Sequence, residues 1–182
     1  MPFYIHFIPS HMIQYAYKDG DYMKILCLKT ELIQKDFAKR LQTLLPEFEI
    51  VEPKCKNDIL EKYFFDEDIA LVIGYNVGNG YALKMPLVKK LLVCPTVLEF
   101  ERDILLPDKA EHNLTNETFA LFRNCGTPSH FQTEFETFFI PEHVYTFDGE
   151  EWEEFFMQKL VSVIKDVIAK PEIPLCFVLD EL

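Results

Sequence analysis

The segment 69–75 (IALVIGY) limits the fold of this chain more than any other part of the sequence. A short run of residues that are almost all apolar is typical of a strand whose two faces are both buried. This situation is typical of a parallel sheet with helices on both sides. The runs 23–28 (MKILCL) and 90–95 (KLLVCP) have the same character, so the segments together predict interior strands of an α/β fold.

Predicted strands and helices alternate along most of the chain. Besides the apolar runs, strands are predicted at 48–52, 118–124 and 143–147, and helices at about 31–45, 57–65, 129–139 and 150–169, with a Gly-rich turn over 74–80 that leads into a short helix. Such alternation requires crossover connections, which produce a mostly parallel sheet covered on both faces. The last helix is expected to bury its apolar residues, which are Trp152, Phe155, Phe156, Leu160, Val163, Ile164 and Val167.

We therefore expect one domain, 1–182, with the architecture of a three-layer α/β sandwich. The N-terminal part is rich in β-forming residues and contains the pair Asp19-Gly20, which is typical of a tight hairpin turn. A hairpin over 1–22 adds an antiparallel N-terminal edge to this mostly parallel sheet. Segment 170–182 is punctuated by prolines and is interpreted as a C-terminal tail.

Composition limits the kind of partner that the chain can bind. It has 18 Lys and Arg against 30 Asp and Glu, a net charge of −12, and its basic residues form no cluster. This charge argues against binding to nucleic acid. No segment reaches the roughly 18 to 20 apolar residues of a membrane span, and the start of the sequence has no signal-peptide pattern. We expect a cytoplasmic protein that does not associate with membranes.

The spacing of cysteines and histidines does not indicate a metal centre or a cofactor. The five cysteines are widely separated and form no Cys-x-x-Cys pair, so reduced thiols are expected. None of the five histidines is spaced from another as zinc ligands on a helix are. His143 is interpreted as structural because it precedes a predicted strand. Cys125, beside Gly126, is interpreted as packing in the core or at the rim.

The segment 74–78 (GYNVG) lies between the apolar strand and the short helix. In this setting the spacing G-x-S-x-G forms a nucleophile elbow, whose glycines allow the strand and the helix to pack closely. The central residue here is Asn76, and a base cannot activate its amide as a nucleophile. There are two alternatives for this segment: a turn that serves only the packing of strand and helix, and a phosphate site at the start of the helix.

From Gly74 to Ile104 the sequence resembles the small single-domain bacterial esterases of the α/β-hydrolase superfamily. The order of elements is similar from about Met23 to Ala169. The resemblance implies a catalytic acid after the next-to-last strand and a catalytic histidine after the last strand. Ser129 stands at the position of the acid, and Glu151, or Trp152 after a shift of one residue, stands at the position of the histidine.

The positions equivalent to a serine, acid and histidine triad are thus Asn76, Ser129 and Glu151, which do not form one. We expect a catalytically degenerate α/β-hydrolase-like protein that acts by binding or assembly and uses no cofactor. Its cleft is expected to bind a small polar ligand or a protein partner through Asn76, Val77, Ser129, His130, Glu151 and Trp152. A hydrolase of carboxylic esters or thioesters, with its nucleophile relocated to Ser129 or Cys125, is the alternative. A third hypothesis is a subunit of a larger complex.

Overall fold

The computed structural model describes residues 17–18, 21–28, 36–53, 62–63, 66, 68–75, 77–85, 88–95, 118–128, 132–133, 141–151 and 153–171. The strands among them are β1 Tyr17–Lys18, β2 Asp21–Tyr22, β3 Lys24–Leu28, β4 Glu49–Val51, β5 Ile69–Tyr75, β6 Lys90–Val93, β7 Thr118–Arg123 and β8 Val144–Phe147. The helices are α1 Phe37–Leu44, α2 Val77–Lys84 and α3 Glu154–Ala169, and a short 3-10 helix spans Pro141–His143.

Six strands form one sheet in the order β4-β3-β5-β6-β7-β8, and every neighbouring pair is parallel. This confirms the predicted α/β fold and its parallel sheet. The strand predicted at 69–75 is confirmed residue for residue as β5, which lies in the interior between β3 and β6. The chain runs outward from β3 to β4 and then returns past β3 to β5, so the direction of winding reverses between β3 and β5.

The N-terminal hairpin is separate from this sheet. β1 and β2 are antiparallel, with Tyr17 opposite Tyr22 and Lys18 opposite Asp21, and they form a two-stranded sheet of their own. This pairing agrees with a turn at Asp19-Gly20, although the turn itself lies outside the described residues. The described strands of the large sheet include no antiparallel member. An antiparallel edge on the large sheet therefore stays a prediction.

Side chains of the sheet alternate between two apolar layers. On β5, Ile73 packs in one layer with Leu41 of α1 and Leu160 of α3. Val72, its neighbour in sequence, packs in the other layer with Leu83 of α2. Successive side chains of a strand point to opposite faces of the sheet. Because both faces of this sheet are buried, its interior strands need apolar residues at consecutive positions. Helices therefore cover both faces of the sheet.

One prediction for the last helix is wrong. Phe155 was expected in the core, but 79% of its surface is exposed. The helix begins only at Glu154, and its buried stripe runs through Phe156, Leu160 and Ile164. Phe155 is turned about 100° from Phe156 around the helix axis, toward the outer face. Burial of Phe156, Leu160, Val163, Ile164 and Val167 is confirmed, whereas Trp152 lies outside the described residues.

A buried lysine holds the end of α3 against the sheet. Lys89, just before β6, is 7% exposed, and its ammonium group donates hydrogen bonds to the carbonyl oxygens of Ile168 (3.0 Å) and Lys170. The last carbonyls of a helix have no partner within the helix and carry the negative end of its dipole. The ammonium group of Lys89 supplies both a hydrogen-bond donor for these carbonyls and a positive charge at the negative end of the dipole. It therefore positions α3. None of the described helices is long and apolar enough to cross a lipid bilayer.

Candidate ligand site at the carboxyl edge of the sheet

All strands of a parallel sheet end at the same edge, and open α/β sheets bind ligands outside the carboxyl ends of their strands. In this sheet, β5 ends at Tyr75, β6 is followed by Cys94, β7 ends at Arg123, and β8 is followed by Asp148. Polar and charged side chains therefore gather along this edge. We refer to Tyr75, Cys94, Arg123 and Glu151 as the edge cluster.

The junction of β5 and α2 is unusually close. A Cβ atom added to Gly74 would lie 2.7 Å from Cα of Asn79, 2.8 Å from its Oδ1 and 2.9 Å from the carbonyl oxygen of Gly78. Only glycine fits at such distances, which confirms the expectation that Gly74 permits close packing of strand and helix. The helix begins at Val77, so Gly78 lies within it and not in the Gly-rich turn predicted over 74–80.

Glu151 follows β8 in sequence but lies against the end of β5. The hydroxyl of Tyr75 donates a hydrogen bond to Oε2 of Glu151. Both residues are partly buried. A hydrogen bond to a carboxylate that is partly removed from water is stronger than a neutral one. This contact joins the end of β5 to the segment after β8, across the ends of β6 and β7.

Cys94 lies between these two elements with a strained backbone. Its φ angle is +47°, and it is the one described residue other than glycine with positive φ. Its N–H donates to the carbonyl oxygen of Leu121 at 2.9 Å. Burial raises the pKa of the Cys94 thiol well above its usual range, and the charge and hydrogen bonding of Glu151 raise it further, while Arg123 opposes this only partly. The thiol is therefore protonated at neutral pH and is a weak nucleophile.

The outer side of the edge is held by polar contacts between the segments after β7 and β8. Arg123 forms an ion pair with Glu150. Asn124 donates from Nδ2 to Asp148 at 3.0 Å, and its Oδ1 accepts from the N–H of Gly126 at 3.1 Å. Gly126 has φ of +83°, so a turn after β7, as predicted, is present. These contacts are exposed, and each contributes little to stability.

The structure describes only part of the predicted site. Asn76, Ser129, His130 and Trp152 lie outside the described residues, and Val77 is the first residue of α2. Glu151 is described and contacts Tyr75, the residue immediately before Asn76. The proximity of Asn76, Ser129 and Glu151 stays a prediction.

Sequence reasoning missed three members of the edge cluster, namely Tyr75, Cys94 and Arg123. A signal was present for each of them, because each stands at the last or next-to-last position of a predicted strand. The Tyr75 position even lies within the 74–78 motif. What the sequence does not reveal is the strand order, nor that the segment after β8 reaches back across the ends of β6 and β7 to the end of β5.

Other candidates lie away from the edge cluster or form no site. His143 is buried at the opposite, amino end of β8, where its ring stacks on Phe119 at 4.1 Å and Nδ1 lies 3.2 Å from the carbonyl oxygen of Thr118. A structural role, as expected, explains these contacts. Cys125 is exposed at the rim and Cys27 is buried in the core. Within the described part of the chain, no three His, Cys, Asp or Glu side chains are placed to hold a metal ion.

Comparison with known proteins adds no relationship: the chain matches no protein-family model, no curated protein and no solved structure.

Proposed function

We propose that this chain is an α/β-hydrolase-like domain without hydrolase activity, which binds a small polar ligand at the carboxyl edge of its sheet. The hydrogen bond between Tyr75 and Glu151 is the observation that carries this proposal. It brings the segment after the last strand to the end of β5, directly before the position at which a hydrolase of this superfamily would carry its nucleophile. The pocket of such an enzyme would lie at this junction.

The order of the elements supports the proposal. The turn after β5, the turn after β7 and the segment after β8 follow one another in the order serine, acid and histidine of α/β-hydrolases. β5 lies beside the point where the winding of the sheet reverses, which is the usual position of ligands in open α/β sheets. The close approach of Gly74 to α2 is also what a nucleophile elbow requires.

The chemistry of the edge cluster favours binding over acyl transfer. Acyl transfer needs a nucleophile and a base that accepts its proton near neutral pH. In the proposed alignment Glu151 stands where the histidine would be, and carboxylates are much weaker bases than imidazole. The Cys94 thiol is held protonated by burial and by that same carboxylate. Glu151 remains well suited to accept hydrogen bonds from a polar ligand.

A fragment titration tests the binding role. We would record amide spectra of the isotope-labelled chain with a set of small amines, amides, alcohols and sugars. Fragments that shift the resonances of Tyr75 and Cys94 in the wild type should lose this effect in Glu151→Gln. The matched control is Glu153→Gln, which removes the same charge from an exposed neighbour and should leave binding intact. Absence of any fragment that shifts Tyr75 or Cys94 would contradict the binding role.

The alternative is a hydrolase with a relocated nucleophile. The strained backbone of Cys94 and the exposure of Cys125, both after strand ends, are the observations that favour it. Chromogenic acetate and butyrate esters and an acyl thioester would be assayed with the wild type and with Cys94→Ala, Cys125→Ser and Ser129→Ala. We expect no turnover above the buffer rate. Turnover that disappears in one of these variants would establish the alternative.

A further inference from the structure

The described residues include two positions where glycine follows Asn or Asp, namely Asn79-Gly80 and Asp148-Gly149. At such pairs the backbone nitrogen of glycine can attack the preceding side-chain carbonyl carbon and close a five-membered succinimide ring. Glycine permits this reaction best because it has no side chain to block ring closure. The reaction still requires a backbone that can leave its folded conformation, so the structure decides which pair reacts.

The two pairs differ sharply in their surroundings. Asn79 is 1% exposed within α2, and its Nδ2 donates to the carbonyl oxygen of Val93 at 3.2 Å. The helix and the burial hold its side chain away from the ring-closing conformation. Asp148 and Gly149 are both exposed and lie between β8 and α3. Gly149 has φ of +93°, and nothing lies within 4 Å of the position its Cβ would take.

We propose that Asp148 is a site of spontaneous isoaspartate formation. The nitrogen of Gly149 attacks Cγ of the protonated Asp148 carboxyl group, the amide proton is lost, and the hydroxyl group leaves as water. Water then adds to the main-chain carbonyl carbon of Asp148 and breaks its bond to that nitrogen. The new bond from Cγ to nitrogen remains, so the backbone passes through the side chain and the mass is unchanged. The hydrogen bond from Asn124 (3.0 Å) is exposed and restrains Asp148 only weakly.

The modification alters the candidate site because of where it occurs. An isoaspartate adds one methylene group to the backbone between β8 and the residues that follow. Glu150 and Glu151 stand two and three positions later, where they contact Arg123 and Tyr75. A longer backbone displaces both carboxylates from these partners. Isomerisation of Asp148 therefore disconnects the segment after β8 from the end of β5, whatever ligand the site binds.

The test is prolonged incubation of the full chain at 37 °C and neutral pH, followed by peptide mapping with electron-transfer fragmentation. Isoaspartate should accumulate at 148 in the folded chain at a rate comparable to that of the urea-unfolded chain. Asp148→Glu, which keeps the charge but needs a less favourable six-membered ring, should show none. Asn79 should stay intact in the folded chain and deamidate only in the unfolded one.

Two outcomes would overturn the proposal. One is a folded chain that keeps Asp148 while the unfolded chain isomerises. The other is modification of Asn79 as fast as Asp148 in the folded chain, because local unfolding rather than the exposed turn would then govern the reaction. The effect on the site has its own readout: the isomerised fraction, separated by ion exchange, should show shifted resonances for Tyr75 and Arg123. Unchanged resonances there would contradict the disconnection, and this readout does not depend on ligand binding.

Discussion

Tyr75 donates a hydrogen bond to Glu151 across a sequence separation of 76 residues. The contact exists because the parallel sheet aligns the ends of its strands at one edge. It gives the candidate site a carboxylate that is partly buried, beside a thiol that is held protonated. The predictions below concern this contact, the packing beneath it and the pH range over which the fold is stable.

Replacing Glu151 by Gln should make the Cys94 thiol more reactive. Glu151 raises the pKa of Cys94 by its charge and by hydrogen bonding, although burial has the larger effect. Loss of the charge lowers the pKa, and the thiolate fraction that reacts with iodoacetamide rises several-fold. Mass spectrometry of the alkylated peptides measures this rate at mildly alkaline pH.

In the wild type, the exposed Cys125 should be alkylated before Cys94 and before the buried Cys27. The control variant Glu153→Gln should leave the rate at Cys94 unchanged. Equal rates at Cys94 in the wild type and in Glu151→Gln would show that the carboxylate does not influence the thiol.

Replacing Gly74 by Ala should destabilise the fold by about 1–3 kcal/mol, the usual cost of forcing extra atoms into a packed interior. The added methyl group would overlap Cα of Asn79 at 2.7 Å and the carbonyl oxygen of Gly78 at 2.9 Å, which are backbone atoms. Urea unfolding measures the loss. Because the overlap is with backbone, Asn79→Ala should not rescue Gly74→Ala, although it removes the contact with Oδ1. A rescue in this double-mutant cycle would mean that the added methyl group clashes only with the flexible side chain of Asn79 and not with the backbone.

Replacing Lys89 by Met should lower the free energy of unfolding by about 1–3 kcal/mol, since charged hydrogen bonds to buried carbonyls are lost. Lys89 is the buried donor to Ile168 and Lys170 at the end of α3. The matched control is Lys165→Met in the same helix, where an exposed ion pair with Glu47 at 3.6 Å should contribute less than about 1 kcal/mol. Similar losses for the two variants would contradict the role of Lys89 in holding α3.

Stability should decrease at alkaline pH. Burial raises the pKa of Tyr145 above its ordinary 10.0, with Asp166 adding to the increase. Burial also raises the pKa of Cys94 above 9.0, and the hydrogen bond to Asp66 raises the pKa of Lys24 above 10.5. In each case the folded chain retains a proton that the unfolded chain releases. The stabilising contribution is therefore complete below about pH 9 and is lost as the pH rises further.

Urea unfolding between about pH 8 and about pH 10.5 measures this loss, because the range spans the ordinary pKa values of cysteine and tyrosine. Tyr145→Phe, which has no proton to release, should lose less stability across the range than the wild type. A wild-type stability that is constant or rises over this range would contradict the raised pKa values of Cys94 and Tyr145.

Much of the fold follows from local patterns in the sequence. β5 could be predicted residue for residue because every position from Ile69 to Tyr75 lies in a sheet buried on both faces. Phe155 was misplaced because the prediction puts the neighbours Phe155 and Phe156 on the same buried face, although adjacent residues of a helix point about 100° apart. The buried stripe of α3 extends from Phe156 to the side of Met157, and this leaves Phe155 on the outer face.

The candidate site was harder to predict, for a physical reason. The sequence singles out Glu151 by its place after the last predicted strand. Its contact with Tyr75, however, depends on the order of the strands in the sheet and on the path of the connections between them. Cys94 was missed because its positive φ and its raised pKa arise from the folded surroundings. The sequence near Cys94 does not indicate that a carboxylate lies beside its thiol, because Glu151 is more than fifty positions away.

The central claim is that the carboxyl edge of this sheet binds without performing acyl transfer through an activated serine. A fluorophosphonate probe tests it most directly, because such probes react with the activated serine of a hydrolase whatever its natural substrate. The account predicts that the intact mass of the wild-type chain is unchanged after treatment that fully labels an active serine esterase in parallel. A stoichiometric adduct, at Ser129 or at any other serine, would contradict the account.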